Sequence, residues 1–163
     1  MRTETGTNQD HLIRRQIVPS NIYTPTSEFT NEIIDQDLLN KRAWIEAAKI
    51  TRIGDRTYDE LLEDCKMGHR AELFLILYCG YTDNPNGFKD IYAPDGREIE
   101  VKVVSSEYSI GKVLRHLDWM RVTCGYDVAD KVYFFHRENG TYKLKWTGKF
   151  NGERYVLERE IVL

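Results

Sequence analysis

The chain is short of the features that usually declare a function at once. Its three cysteines, Cys65, Cys79 and Cys124, are odd in number and widely separated. They offer no zinc-ligand spacing and no even set for a disulfide framework, so reduced, packed thiols are expected. No apolar run approaches the ~20 residues that span a bilayer, and Met1 to Asp10 is polar, without a signal-peptide core. An intracellular, cytoplasmic protein with no membrane partner is the expectation. The formal net charge of -3 lacks the basic excess of a typical nucleic-acid binder, although it leaves room for local clusters of lysine and arginine. There is neither an internal repeat nor a low-complexity segment.

What is present suits one globular domain. At 163 residues, with 41% hydrophobic and 30% charged side chains, the chain is long enough to bury a core. Met1 to Phe29 is polar, with Pro19 and Pro25, and reads as an N-terminal arm. Ile33, Ile34, Leu38, Ala43, Trp44, Ala47 and Ala48 predict a helix over 31–50, with Thr30 as its N-cap and Lys41, Arg42 and Lys49 on its exposed side. Thr57-Tyr58-Asp59-Glu60 fits a capping box, opening a helix that runs to Tyr78, with a bend allowed at Gly68 and a stop at Gly80. Ile110, Val113, Leu114, Leu117 and Met120 trace an amphipathic helix that Gly125 ends, with Lys112, Arg115 and His116 on its other face. Val132 to Phe135 reads as a buried strand, parallel to the strand before that helix. Thr141–Phe150 and Glu153–Val162 flank Asn151-Gly152, which predicts a C-terminal β-hairpin with a type I′ turn.

The centre of the chain is Phe88 to Val104. Pro94, Asp95 and Gly96 suit a three-residue hairpin loop in which Gly96 takes the left-handed conformation. Ala93 then faces Arg97, and the register pairs Tyr92 with Glu98, Ile91 with Ile99 and Asp90 with Glu100. Alternation puts Asp90, Glu100 and Lys102 on one face and the isoleucines and valines on the other. Two carboxylates set directly opposite on a sheet repel unless something positive joins them. Mg²⁺, a hard ion that accepts oxygen ligands and keeps several waters, satisfies that requirement. Lys102 is placed to position a water or to offset charge developing on a phosphate. The competing reading is a solvent-facing hairpin that merely carries charges.

Glu72 is a single carboxylate within the apolar run Ala71 to Tyr78. It needs a metal, a metal-bound water or Lys102 as partner, unless it belongs to an exposed stripe with Lys66 and Arg70. His69, one turn earlier, is either a contact near the same site or a satisfied surface histidine. Near the C-terminus, alternation sets Lys143 and Lys145 opposite Tyr142, Leu144 and Trp146. That pattern fits a basic ridge tracking a phosphate backbone or an edge hairpin protected by lysines.

A glutamate helix, a hairpin bearing Asp90 and Glu100-Val101-Lys102, a helix and a further strand together resemble the PD-(D/E)xK nuclease superfamily. The resemblance covers 57–136. Lys89 stands where the proline of the family's name would be; that proline is not a ligand. The resemblance implies an α/β, restriction-endonuclease-like core, a mixed β-sheet flanked by helices, here with an N-terminal helical extension and the C-terminal hairpin over 141–162. It also implies that Asp90, Glu100 and the Val101 backbone carbonyl ligate Mg²⁺, with Mn²⁺ able to substitute, that Lys102 orients the attacking water, and that Glu72 serves a second ion or its hydration shell. The expected activity is Mg²⁺-dependent endonucleolytic hydrolysis of DNA, with His69, Lys112, Arg115, His116, Lys143 and Lys145 as candidate DNA contacts. A homodimer or higher oligomer is expected, because one such site cuts one strand. A fold relative that binds DNA or a protein without hydrolysis is the alternative, and a small regulatory domain a third.

Overall fold

Local chemistry explains where the elements begin and end. The computed structural model of the protein describes residues 23–84 and 91–163. Helix α1 spans Gln36–Lys49 and is capped by Asp35, whose carboxylate accepts from Leu38 N, while Thr30 makes no capping hydrogen bond. The helix therefore starts later than the apolar pattern predicts. Asn31–Ile33 form a separate 3₁₀ turn, and Trp44, assigned to the apolar face, is 65% exposed. Helix α2 spans Tyr58–Tyr78 with both halves of the Thr57/Glu60 capping box formed, and runs unbroken through Gly68. Helix α3 spans Ile110–Cys124 and stops at Gly125, whose φ of 72° is the left-handed geometry that glycine adopts at little cost.

The strands are β1 (Phe29–Thr30), β2 (Thr82–Asp83), β3 (Ile91–Tyr92), β4 (Glu98–Val104), β5 (Lys131–Glu138), β6 (Thr141–Phe150) and β7 (Tyr155–Leu157). They form one mixed sheet in the order β1-β6-β5-β4-β3-β2, with β7 also paired to β6. Strand β4 runs parallel to β5 and antiparallel to β3, so α3 is the crossover between two parallel central strands, as expected. The predicted hairpin register holds for its described part: Ile91 faces Ile99 and Tyr92 faces Glu98. Ala93 N donates to Arg97 O at 2.8 Å, and Gly96, at φ 91°, closes the loop onto Ala93 O. The third pair involves Asp90, which lies outside the described residues.

Side-chain parity divides the core. On one face Ile91, Ile99, Val101, Tyr133 and Phe135 pack with Phe74 of α2. On the other, Val132 and Phe134 meet Ile110, Leu114 and Leu117 of α3. Helix α1 lies against α2 through Ala43, Ala47, Leu61 and Cys65, where small side chains let the two backbones come close. The expected N-terminal arm ends inside this core: Phe29 is buried and stacks on Phe74 at 4.1 Å and Tyr142 at 5.1 Å. The rest of the arm, before Tyr23, lies outside the described residues.

Two expectations about the C-terminal strands are corrected. The type I′ turn falls at Asn139-Gly140, both at positive φ, joining β5 to β6. At Asn151-Gly152 the loop is longer: Phe150 pairs with Tyr155, and Asn151 caps the bend by accepting from Glu153 N and Arg154 N. Strand β7 is accordingly three residues long, not the ten of Glu153–Val162. Strict alternation along β6 also fails, because the ladder shifts between Phe134, which faces Trp146, and Phe135, which faces Leu144. That bulge turns Trp146 onto the α3 face, away from Leu144. Of the thiols, Cys65 is buried and Cys79 half-buried, but Cys124 is exposed, so only two are packed.

Candidate functional site

Strand β4 carries the densest candidate chemistry. Glu100 pairs with Val132 and Lys102 with Phe134, so both side chains stand on the α3 face of the sheet. Two residues apart on one strand, they meet as an ion pair, Lys102 Nζ to Glu100 Oε2 at 3.3 Å. Glu100 is 7% exposed, deep enough that its charge requires compensation, and Lys102 is half-buried beside it. Beyond Ile99 the described part of β3 gives β4 no partner, since β3 pairs only with Glu98 and Ile99. Between that stretch and α2 lies a cavity of about 210 Å³, lined by Val101, Lys102 and Val103 from the strand, His69 and Glu72 from α2, and Glu46 from α1.

Glu72 is 3% exposed, which removes the exposed-stripe reading; Arg70, its supposed neighbour there, is buried too and donates to Glu63, Asn31 and Tyr142. The partner of Glu72 is one the sequence reading passed over. Arg42 Nη2 lies 2.6 Å from Glu72 Oε1, and its Nη1 lies 2.6 Å from Asp83 Oδ2 on β2. Arg42, expected on the exposed side of α1, thus bridges α2 and the sheet margin. The signal was present: Leu39, Arg42, Ala43 and Glu46 follow the i, i+3, i+4, i+7 spacing of one helix face, and that face meets α2.

His69 completes this network and is buried, contrary to the surface reading. Its Nε2 lies 2.6 Å from Glu46 Oε1 and its Nδ1 3.5 Å from Glu72 Oε1. Burial by itself would lower the imidazole pKa, but the two carboxylates outweigh it and push it up to about 9. In the neutral ring Nδ1 accepts from Arg42 Nε at 3.3 Å; in the imidazolium both ring nitrogens donate, to Glu46 and toward Glu72. In the same cavity Cys65 is driven by burial, reinforced by Glu46, to about 11, which keeps the thiol protonated and unreactive.

Hard carboxylate oxygens at Glu100 beside an ammonium suit Mg²⁺ chemically. Among the described residues, no group of three or more His, Cys, Asp or Glu is placed to share an ion, and Asp90, the expected second carboxylate, is outside them. Glu72 lines the same cavity as Lys102, but its Oε1 is held by Arg42 and faces His69. Of the candidate DNA contacts, Lys112, Arg115 and His116 are exposed on α3, and Lys143 and Lys145 are exposed on β6. In comparisons with protein-family models, curated proteins and solved structures, nothing matches this chain.

Proposed function

We propose that the protein is a Mg²⁺-dependent endonuclease that hydrolyses DNA phosphodiester bonds, with Glu100 and Asp90 as the carboxylates that would hold the ion and Lys102 as the group that positions the attacking water. The observation that carries this reading is the Glu100–Lys102 pair on β4, an acid and an ammonium 3.3 Å apart, of which Lys102 also lines the cavity against α2. When bound, the ion would lower the pKa of its water and neutralise charge on the phosphate. Lys102 would donate to that water or to a phosphate oxygen, and Glu100 would hold the ammonium in place. The Val101 backbone carbonyl belongs to the same proposed ligand set, and a homodimer would supply the second site needed for a double-strand cut.

The test is plasmid cleavage with Mg²⁺ by the wild type, Asp90→Ala and Lys102→Ala. Nicking or linearisation by the wild type alone supports the assignment, and equal cutting by all three excludes it.

The Arg42–Glu72 contact supports a second reading, a relative of such nucleases that binds DNA or a protein partner without hydrolysis. A guanidinium on the helix carboxylate competes with an ion for it. Saturable Mg²⁺ or Mn²⁺ uptake by calorimetry that disappears in Asp90→Ala counts against this reading.

A further inference from the structure

The solvent face of α3 combines an exposed aromatic with cations. Its exposed positions are Gly111, Lys112, Arg115, His116, Trp119, Val122, Thr123 and Cys124, a stretch with two permanent cations and no acid in a chain whose net charge is -3. At 100° per residue, Trp119 and Lys112 lie near the centre of that face and Arg115 and His116 flank them. The Trp119 indole is 54% exposed, and the His116 ring lies nearly parallel to it, 5.8 Å away with an 18° interplanar angle. Arg115 folds back over the helix surface, its Nη1 passing 3.4 Å from where a Cβ on Gly111 would stand. One turn before the helix, Tyr108 is 96% exposed.

Next to cations, an exposed aromatic forms the two-part surface that unpaired nucleic acid requires: a flat face for a base and positive charge for its backbone. A Watson–Crick duplex hides its base faces, so an indole on a helix surface has no stacking partner there.

We propose that the solvent face of α3 is a platform for an unpaired segment of DNA, with a base stacked on Trp119 and its phosphates held by Lys112 and Arg115. The choice of DNA rests on the nuclease reading; the stacking geometry does not. Helix α3 follows β4 after a five-residue connection from Ser105 to Ser109, so a strand held on α3 continues toward the side of the sheet that carries Glu100 and Lys102. The platform supplies the single-strand grip that precedes or follows a cut.

The experiment is fluorescence anisotropy of a labelled oligothymidine and of a matched duplex, in EDTA so that cleavage plays no part, with full-length wild type, Trp119→Ala, the charge reversal Lys112→Glu/Arg115→Glu and Lys102→Ala. Circular dichroism checks that each variant folds; all three α3 positions are exposed. The single strand is expected to bind roughly tenfold more tightly than the duplex. Trp119→Ala should lose roughly tenfold in single-strand affinity, the scale of one base–aromatic stack. The charge reversal should weaken binding further and flatten its dependence on salt. Folded Trp119→Ala binding oligothymidine as the wild type does, or equal affinity for both oligonucleotides, overturns the platform. Platform binding in a protein that cuts no plasmid removes the nuclease reading and leaves the platform standing.

Discussion

Glu72 on α2 and Glu100 on β4 are both acids sunk in the fold, and they are held differently. Glu72 has a guanidinium at 2.6 Å and an imidazolium at 3.5 Å, both from residues that are themselves largely buried. Glu100 has an ammonium at 3.3 Å on a half-buried side chain. The first arrangement ties α1, α2 and the β2 margin together; the second pairs a carboxylate with a long, flexible cation that also lines the cavity against α2.

Mutations can break or sharpen that contrast. Glu72→Ala strands two buried cations and should cost about 3–5 kcal/mol in urea unfolding, whereas Glu100→Ala releases a lysine that can turn to solvent and should cost about 1 kcal/mol. Equal losses would erase the distinction. On the proposed function, Lys102→Ala should lower plasmid cutting about 100- to 1000-fold and, because it leaves the buried Glu100 carboxylate without its ammonium, should also lower the unfolding midpoint. A smaller effect belongs to His69. Its folded pKa of about 9 exceeds an unfolded value of about 6.5, so its stabilisation is fully present below about pH 6.5 and fades as pH rises through 9. That loss should be on the order of 3 kcal/mol, and it should vanish in His69→Gln when both proteins are unfolded between pH 6 and pH 10. The smallest change is expected from Asp83→Asn. Asp83 is the exposed end of the Arg42 bridge, and its loss should cost under about 1 kcal/mol.

Much of the β4 hairpin was legible because its determinants are local. Gly96 can take a positive φ, the loop length then sets the register, and period-2 alternation brings Glu100 beside Lys102. The capping box at Thr57 and the stop at Gly125 are local for the same reason. The misreadings share the opposite cause. Arg42 finds Glu72 and Asp83 only when α1, α2 and β2 assemble; the spacing within α1 puts it on the buried face but does not name its partners. The turn of Trp146 away from Leu144 comes from a bulge in the pairing with β5, which alternation along β6 alone does not reveal. Thr30 looks like a cap until Asp35, five residues on, is seen to hold Leu38 N. Burial of Glu72 was legible from its apolar neighbours; the identity of its counter-ion was not.

Strand β6 has a further consequence. It receives β5 along its length, β1 at Tyr142 and Thr141, and β7 at Gly148 to Phe150. A ribosome delivers Phe29 well before its ladder partner Tyr142, so β1 must wait, unpaired, while the strands between are made. The α1–α2 pair needs no such delay, because its contacts are close in sequence. The order of assembly is thereby biased: a helical hairpin first, the parallel strands next, and the N-terminal edge last, closing over Phe74 only once β6 has arrived.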